Sequence, residues 1–260
     1  MKAVVTFYVN ASPLVVSASA DASIIVWDAL TSKKLHQLKG HARGVQALAI
    51  ESITPEYATI VSGDSSREIR RWFVSPFTSY EIPISGDPTE QLSGPIDPLI
   101  AHETSIYDLS VDADGDLWTA SADKTAKCLS RSNGFKADTI LQHPDFVRSL
   151  AVYESGGLIV TACRDEHVRV WEKGSGKLVH MYEGHFEEVT GIAVDETKGR
   201  AISVSIDGTI RIWGLRSEDI KLAKEEAEKL AKGVVKEEEE KKSMLTAEEE
   251  AELAELMDSD

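Results

Sequence analysis

One short segment occurs five times in the sequence, and this repetition constrains the fold more than any other feature. The aligned copies span residues 16–27, 61–72, 118–129, 160–171 and 202–213. A turn position in these copies is occupied by Asp21, Ser66, Asp123, Asp165 and Asp207, at separations of 45, 57, 42 and 42 residues. A period of this length predicts a fold that is built from one structural unit per copy.

Three further positions recur in register with the turn residue. Four residues before it, every copy has a hydroxyl side chain: Ser17, Ser62, Thr119, Thr161 and Ser203. Six residues after it stand four of the five tryptophans, namely Trp27, Trp72, Trp171 and Trp213, whereas the third copy has Leu129 there. A histidine precedes the apolar segment of every copy except the first: His41, His102, His143 and His185. Four linked positions in one register indicate a shared structural role.

This pattern resembles the tryptophan-aspartate (WD) repeat, and the resemblance covers residues 1–215. It implies an all-β fold, a β-propeller in which each repeat forms one four-stranded blade. It also implies that the histidine, hydroxyl, aspartate and tryptophan side chains hydrogen-bond to one another within a blade. A buried indole N–H and a buried carboxylate both need such partners. The implied blades span about residues 1–39, 40–100, 101–142, 143–183 and 184–215.

The number of strands predicts an incomplete or open ring of about five blades. The first copy begins at Lys2 directly in its innermost strand, and the fifth copy ends at its third strand, residues 210–213. The chain therefore supplies four full blades and three strands of a fifth. One hypothesis, from the ring sizes of the resembling family, is that about two N-terminal blades of a longer protein are missing. The rival hypothesis is an open propeller whose edge accepts a strand from a partner.

The second and third copies depart from the pattern. Ser66 occupies the turn position of the second copy, although Asp64 lies two residues before it. Leu129 replaces tryptophan in the third copy, so its hydrogen-bonded set cannot be complete. We therefore expect the second and third blades to be less rigid than the fourth and fifth. Between these two copies, residues 75–100 contain five of the eight prolines, which predicts a long surface loop and not extra strands.

Charge divides the chain into two parts. With 28 basic and 44 acidic residues the net charge is −16, of which residues 217–260 carry −9. This tail is rich in glutamate, lysine, alanine and leucine, which predicts two helices. The first begins at Ser217 and stops at Gly233, and the second opens with a capping box at Thr246. We assign residues 1–216 to the propeller and the remainder to an acidic helical or partly disordered tail.

Composition argues against several classes of function. The acidic excess repels phosphate backbones and so disfavours direct nucleic-acid binding. The sequence has no apolar run of the length that a membrane span needs. Two cysteines, Cys128 and Cys163, are too few for a disulfide framework and are read as small core residues. These features predict a protein of a reducing compartment, the cytoplasm, the nucleus or both.

Serine, histidine and aspartate recur together, but five similar sets are better explained as scaffold than as five catalytic triads. The sequence shows neither a zinc-type cluster of cysteine and histidine nor a phosphate-cradling glycine loop. Residues 112–116 are similar to a calcium loop but lack its closing glutamate, and they predict a hairpin turn. We predict no catalytic, metal or cofactor site and no small-molecule substrate.

The resemblance to WD repeats implies an interaction platform whose rim binds other proteins. The rim loops nominate Arg43, Glu103, Asp145, Phe146, Arg164, Glu187 and Glu188. Phe146 and Arg164 are favoured because exposed aromatic and arginine side chains supply most interface hot spots. The predicted function is a non-catalytic scaffold or adaptor subunit of an intracellular multiprotein complex, with the acidic tail as a second contact. The alternatives are a substrate receptor of a ubiquitin ligase, an acidic escort of basic clients such as histones or ribosomal proteins, and an enzyme.

Overall fold

The structure is a computed structural model that describes residues 1–92 and 94–229. The chain divides into two compact units, Met1–Trp213 and Gly214–Asp260. The first unit holds all five sequence repeats and consists of antiparallel β-sheets. The division between the units therefore lies close to the change in composition from which the tail was predicted.

The described part of the second unit contains a helix, α1, at residues 217–229. It begins at Ser217, where the sequence predicts a helix start. The predicted stop at Gly233 and the predicted second helix from Thr246 lie outside the described residues. Among the helices of residues 1–229, none combines the length and the apolar character that crossing a membrane requires.

Each repeat in the first unit forms one sheet, which we call a blade. Blade 1 contains β1 (Ala3–Val9), β2 (Ser12–Ala18), β3 (Ile24–Asp28) and β4 (Lys34–Leu38). Blade 2 contains β5 (Val45–Ile53), β6 (Ala58–Asp64), β7 (Glu68–Val74), β8 (Ser79–Ile82) and β9 (Leu99–Ile100). Blade 3 contains β10 (Ile106–Val111), β11 (Leu117–Ser121), β12 (Thr125–Ser130) and β13 (Lys136–Gln142). Blade 4 contains β14 (Val147–Tyr153), β15 (Leu158–Cys163), β16 (Val168–Glu172) and β17 (Leu178–Tyr182). Blade 5 contains β18 (Val189–Asp195), β19 (Arg200–Ser205) and β20 (Ile210–Gly214).

The blades follow one another as in a β-propeller. Within each blade the strands pair in chain order, each antiparallel to the next, except that β9 of blade 2 pairs with β7. The first strands of consecutive blades pack against one another, β1 on β5, β5 on β10, β10 on β14 and β14 on β18. In a propeller the blades are arranged in this way around a central channel. The predicted all-β fold, with four-stranded blades and three strands in the last, is confirmed.

The turn between the second and third strands uses the left-handed backbone region in every blade. The residue after the turn position has φ between 67° and 80° in Ala22, Arg67, Lys124, Glu166 and Gly208. This conformation disfavours side chains other than glycine. Turn carboxylates offset the strain by accepting backbone N–H groups, as Asp207 does from Thr209 at 2.8 Å. The recurring aspartate therefore shapes the turn.

The hydrophobic core lies between neighbouring blades. Because alternate residues of a strand point to opposite faces, each sheet can pack one face on the preceding blade and the other on the following blade. One buried cluster joins blades 1 and 2 through residues that include Phe7, Val16, Ile24, Leu48, Ile60 and Trp72. Another joins blades 3 and 4 through residues that include Trp118, Ala126, Val147, Leu150 and Trp171. The repeated tryptophans thus stabilise contacts between blades as well as within them.

The fourth strand of blade 2 is interrupted by an insertion, residues 83–98. On one side of it, β8 pairs with residues 71–74 of β7, and on the other side β9 pairs with Glu68 and Ile69 of the same strand. The chain leaves the sheet edge and returns to it, which explains the longer second repeat. The prediction of a long surface loop without strands at residues 75–100 is therefore wrong for β8 and β9, which lie within this range, and it holds for the described residues between them. An edge strand tolerates such an excursion because only one side of it is hydrogen-bonded.

Two neighbouring arginines of β7 hold the insertion against blade 2. Arg71 is buried, and its Nε donates to Glu51 Oε2 at 2.6 Å. Its Nη1 donates to the carbonyl oxygens of Pro83 and Gly86 at 3.3 and 3.1 Å. Arg70 donates to a backbone carbonyl near the other end of the insertion at 3.4 Å. The insertion is consequently attached at both ends by side chains of the blade from which it emerges.

Side chains tie together the first strands of three blades. Asp108 Oδ2 accepts hydrogen bonds from Ser149 Oγ at 2.5 Å and from the backbone N–H of Leu150 at 3.1 Å. Ser149 Oγ in turn accepts from the backbone N–H of Ile192 at 3.2 Å. Burial raises the pKa of Asp108 above its ordinary value, against the opposing effect of these hydrogen bonds. Blades 3, 4 and 5 are therefore linked by polar contacts in addition to hydrophobic packing.

The two cysteines lie in the blade interiors, as predicted for small core residues. Cys128 on β12 and Cys163 on β15 are buried free thiols. Burial raises the pKa of Cys128 to about 12 and that of Cys163 to about 11. Both side chains therefore stay in the unreactive thiol form at neutral pH.

Candidate functional site

A chain of hydrogen bonds joins the four repeated side chains in blade 5. Trp213 Nε1 donates to Ser203 Oγ at 2.8 Å, and this hydroxyl lies 2.7 Å from His185 Nε2. His185 Nδ1 lies 2.9 Å from Asp207 Oδ2. Because a carboxylate only accepts, we assign the proton to Nδ1, so that Nε2 accepts from the hydroxyl. Desolvation favours a higher pKa for Asp207, but hydrogen bonds from Thr209 and His185 hold it below its ordinary value.

Blade 2 has the same chain of hydrogen bonds, with the carboxylate supplied from a different position. Trp72 Nε1 donates to Ser62 Oγ at 2.7 Å, and Ser62 Oγ lies 2.6 Å from His41 Nε2. His41 Nδ1 lies 3.1 Å from Asp64 Oδ2. Ser66, at the aligned turn position, donates its backbone N–H and its hydroxyl to Asp64. The set is complete although Ser66 replaces the turn aspartate, because Asp64 reaches the histidine from two residues earlier.

Blade 3 retains the histidine part of the set. His102 Nε2 lies 2.6 Å from Thr119 Oγ1, and His102 Nδ1 lies 2.8 Å from Asp123 Oδ2. Leu129 offers no donor at the tryptophan position, and Thr119 Oγ1 donates instead to a backbone carbonyl of the third strand at 3.2 Å. The aspartate, hydroxyl and histidine contacts therefore persist without the indole, as the sequence predicts for an incomplete set.

Blade 4 differs from expectation at its aspartate. Trp171 Nε1 donates to Thr161 Oγ1 at 2.9 Å, and Thr161 Oγ1 lies 2.8 Å from His143 Nε2. Asp165, however, accepts two hydrogen bonds from the Arg169 guanidinium, at 3.0 and 2.5 Å. His143 Nδ1 contacts a backbone carbonyl instead. The expectation of a complete set in blade 4 is therefore wrong. The charged Arg169 guanidinium binds both oxygens of Asp165 in a bidentate ion pair, which is stronger than a hydrogen bond from a neutral imidazole.

Blade 1 has no histidine of this kind in its repeat, and its set is the shortest. Trp27 Nε1 donates to Ser17 Oγ at 2.8 Å. Asp21 Oδ1 accepts the backbone N–H and the hydroxyl of Ser23 at 2.9 and 2.6 Å. These bonds, together with one from Ser19, lower the pKa of Asp21. In this blade the aspartate organises its own turn, and the tryptophan is satisfied separately.

The hairpin at residues 112–116 connects β10 and β11, as predicted. Asp112 Oδ1 accepts two backbone N–H groups of the turn at 3.0 and 2.9 Å. Asp112 Oδ2 accepts from Trp118 Nε1 and lies 3.0 Å from Lys173 Nζ. This arrangement satisfies the buried indole of Trp118, which does not occupy the repeated tryptophan position. Donors of the chain itself therefore serve both oxygens of the carboxylate.

The repeated side chains are arranged for structure. In blades 2 to 5, the repeated serine or threonine oxygen lies between an indole or carbonyl group and an imidazole, so its lone pairs and proton are engaged. His41, Asp64 and Glu68 approach one another within 4.8 Å, the spacing at which such groups could hold a cation. His41 is engaged at both ring nitrogens, and Glu68 pairs with Arg70 at 3.0 Å. A cation there would have to displace these contacts.

The neutral histidine of blade 4 predicts a pH-dependent stability. Burial, and then the charge of Arg169, lower the pKa of His143 to about 4, whereas an unfolded imidazole titrates at about 6.5. As pH falls through this window, the unfolded state gains a proton before the folded state does. The free energy of unfolding should therefore drop by on the order of 2 kcal/mol between these pH values.

Urea unfolding across this pH range measures the effect. His143→Gln keeps a hydrogen-bonding side chain but removes the titrating group, so its stability should vary less with pH than that of the wild type between neutral pH and about pH 4. The acidic side chains titrate in both proteins and cancel in the comparison. The same pH dependence in variant and wild type would contradict the assignment.

Several of the predicted rim residues come together at the start of β14. The Arg164 guanidinium lies over the Phe146 ring, with Cζ 5.2 Å from the ring centroid. Arg164 Nε is 3.9 Å from Asp145 Oδ2, and the arginine side chain is 52% exposed. Stacking on an aromatic ring holds the guanidinium in place while its edge stays open to solvent. Asp145, Phe146 and Arg164 thus form one group on blade 4, in which Arg164 is exposed and the other two side chains are half-buried.

Two residues that were not predicted extend this group onto the neighbouring blades. Arg148 Cζ lies 4.2 Å from the centroid of the Tyr107 ring of blade 3, and Arg148 Nε lies 2.6 Å from Glu188 Oε1 of blade 5. The Tyr107 and Phe146 rings are 6.5 Å apart and tilted. We call Tyr107, Asp145, Phe146, Arg148, Arg164 and Glu188 the rim cluster. Tyr107 and Arg148 are each the second residue of a first strand, one position beyond the loops in which the rim residues are predicted.

The other predicted rim residues lie outside the contacts that define the rim cluster. Arg43 is exposed in the loop before β5, and Glu187 is exposed in the loop before β18. The backbone N–H of Glu103 donates to Asp123 Oδ2 at 3.2 Å, so this residue supports the turn of blade 3. Phe186 was not predicted; it is strongly exposed and lies below the Arg211 guanidinium at 5.9 Å. Blade 5 therefore has another pair of an arginine and an aromatic ring, in which the ring is exposed and the arginine is half-buried.

Comparison with known families agrees with the repeat pattern. The family described as "WD domain, G-beta repeat" matches this chain at residues 93–129, 136–172 and 176–214. The three matches contain the second and third strands of blades 3, 4 and 5. The matched repeats thus include the blades on which the rim cluster lies.

Curated relatives match about two thirds of this chain. A WD repeat-containing protein of Schizosaccharomyces pombe is 35% identical over 177 residues, which are 66% of this chain and 44% of that protein. Mitochondrial division protein 1 of Kluyveromyces lactis is 24% identical over 192 residues, which are 65% of this chain and 26% of that protein. The chain therefore spans less than half the length of these relatives.

The fold recurs in a solved structure. The crystal structure of a computationally designed protein is similar with a TM-score of 0.61 and 21% identity, over 83% of this chain and 58% of that chain. WD repeat domains generally act as protein-interaction scaffolds and are typically non-catalytic. The recurring side chains, their hydrogen-bond sets, the blades and the matching repeats lead to one conclusion: this chain is a member of the WD-repeat family.

Proposed function

We propose that this chain is a non-catalytic scaffold that binds other proteins through the rim cluster. The observation that carries the proposal is the group of arginine and aromatic side chains that continues across three blades, in which Arg164 is exposed and the other members are half-buried. Aromatic side chains and arginine are enriched among the residues that contribute most to protein binding. The rim cluster has both kinds of side chain on strands, Tyr107 and Arg148, and in the loop residues directly beside strands, Phe146 and Arg164, which supports a preformed binding surface.

The geometry of the rim cluster suits binding with a small loss of conformational entropy. Arg148 and Arg164 are already held over the rings of Tyr107 and Phe146. A side chain that is ordered before binding does not lose that freedom when the partner arrives. Half of the Arg164 side chain remains exposed, so its guanidinium can donate to an acceptor of the partner. We therefore expect Phe146 and Arg164 to contribute most to affinity.

Charge favours a basic partner that also has an acceptor for Arg164. The chain carries a net charge of −16, and the rim cluster itself contains two carboxylates, Asp145 beside Arg164 and Glu188 beside Arg148. Opposite net charge accelerates association and makes it sensitive to salt. We further propose an intracellular complex as the setting, since both cysteines are free thiols, as is usual in a reducing compartment.

Affinity capture with the full chain as bait tests the proposal. The double variant Phe146→Ala, Arg164→Ala should bind the captured partner about 10- to 100-fold more weakly than the wild type does. Phe77→Ala is the matched control, because Phe77 is a highly exposed ring in the turn between β7 and β8 and lies outside the rim cluster. Added salt should weaken capture of a basic partner.

The outcome separates the rim from other surfaces. Partner binding that survives the double variant would contradict the proposal, and loss of binding in Phe77→Ala would assign the partner to the outer edge of blade 2. We expect the double variant to keep its fold, because both substituted side chains are at least partly accessible to solvent. Unfolding measurements on each variant check this.

A further inference from the structure

One face of blade 5 exposes aliphatic side chains on two adjacent strands. Ile210 and Ile212 on β20 are 71% and 61% exposed, and Val204 on β19 is also exposed. Single exposed aliphatic residues are ordinary, but a contiguous group on a sheet face indicates an interaction surface. We call Val204, Ile210 and Ile212 the forward face of blade 5, because the same positions in other blades face the blade that follows.

The corresponding positions are buried in every other blade. The position of Ile210 is held by Ile24, Ile69, Ala126 and Val168, none of which is more than 1% exposed. The position of Ile212 is held by Val26, Arg71, Cys128 and Val170, all of them buried. The position of Val204 is held by Ala18, Gly63, Ala120 and Ala162, which are buried as well. The forward face of blade 5 thus has the residue types of an interface between blades, but its side chains are exposed and not buried.

The other four interfaces show what covers a forward face. Ala18, Ile24 and Val26 of blade 1 share a buried cluster with Leu48 of the next blade, and the corresponding residues of blade 3 share one with Leu150. Each of these leucines lies on a first strand, directly opposite the repeated hydroxyl residue. The covering surface is therefore the first strand of another blade, with an aliphatic side chain at this position.

Blade 1 exposes a surface of this kind. Val4 is paired with Ser17, so it holds in blade 1 the position that Leu48 holds in blade 2. Leu48 is buried against the preceding blade, whereas Val4 is exposed. Thr6 and Tyr8, two and four residues further along the strand, are exposed on the same face. We call Val4, Thr6 and Tyr8 the backward face of blade 1.

We propose that two copies of this chain associate head to tail, with the forward face of blade 5 in one copy packed on the backward face of blade 1 in the next. Neighbouring blades of the chain make this kind of contact four times. The forward face of blade 5 and the backward face of blade 1 resemble the two sides of those interfaces in residue type and in strand position. Burying aliphatic surface of this extent drives association. Because the two halves differ, the association is heterologous and extends or closes into a ring.

Sedimentation of the 260-residue chain tests the proposal. The wild type should form dimers or larger species that increase with concentration. Ile212→Lys and Val4→Lys should each sediment as monomers, because a buried lysine without a partner is costly. Leu30→Lys is the matched control: Leu30 is a strongly exposed leucine in the turn between β3 and β4, so this variant should associate like the wild type.

A mixture of the two face variants gives the sharpest result. Ile212→Lys retains an intact backward face and Val4→Lys an intact forward face, so an equimolar mixture should form a dimer of one copy of each and nothing larger. A wild type that stays monomeric at every concentration would overturn the proposal. So would face variants that associate like the wild type, or a mixture that remains monomeric.

Discussion

Replacement of Arg71 by methionine is expected to lower the free energy of unfolding by about 3–5 kcal/mol. The Arg71 and Glu51 side chains are each only 3% exposed, and their ion pair is 2.6 Å long. Methionine fills much of the volume of arginine but leaves the Glu51 carboxylate buried next to an apolar group. Arg131, whose Nη1 lies 3.5 Å from the other Glu51 oxygen, is half exposed and compensates only in part. Urea unfolding of both proteins measures the difference.

A double variant separates the ion pair from the rest of the site. Glu51→Gln combined with Arg71→Met removes both charges, so it should recover a large part of the lost stability. If the two substitutions simply add, the paired charges are not the source of the effect. Arg71→Met should also loosen the insertion, residues 83–98, because the hydrogen bonds to Pro83 and Gly86 are lost. Faster proteolytic cleavage within the insertion would report this second effect.

Replacement of Asp64 by alanine should destabilise the protein by about 3 kcal/mol, and replacement of Ser66 by alanine by less than about 1 kcal/mol. The Asp64 side chain is fully buried and accepts hydrogen bonds from His41 and from the backbone N–H groups of Ser66 and Glu68. Burial alone favours a higher pKa for Asp64, yet the hydrogen bonds hold it below its ordinary value. The folded blade therefore requires the carboxylate in its charged form.

The comparison between these two variants decides which residue serves blade 2. Ser66 is at the aligned turn position, so alignment alone would make it the critical residue. Thermal or urea unfolding of the two variants under one condition gives the ranking directly. Equal destabilisation by the two substitutions, or a larger effect for Ser66→Ala, would contradict the hydrogen-bond assignment in this blade.

Much of the fold follows from residues that are close together in the chain. The turn aspartates, the hydroxyl residues four positions earlier and the tryptophans six positions later all lie within one hairpin of a blade. Local turn chemistry and strand alternation depend on neighbours of this kind. For this reason the repeats predict the blades, their order and the three strands of blade 5.

Contacts for which two hydrogen-bond partners compete, and strands of only two residues, could not be predicted from the sequence. Asp165 has the sequence context of a partner for His143, but the Arg169 guanidinium takes both carboxylate oxygens. The strand β9, only two residues long, has no periodicity that could distinguish it from the proline-rich residues before it. Its pairing with β7 becomes visible only when the chain returns to the sheet edge.

The sequence by itself determined the repeating unit of this protein, because the residues that define a WD blade lie within about 40 positions and satisfy one another locally. Only the tertiary structure decided which side chains meet between blades. Tyr107, Phe146 and Glu188 come from three different repeats, and their contacts with the arginines exist because successive blades pack side by side. The exposure of Ile210 is likewise a property of packing, since similar aliphatic residues in the other blades are buried by a neighbour.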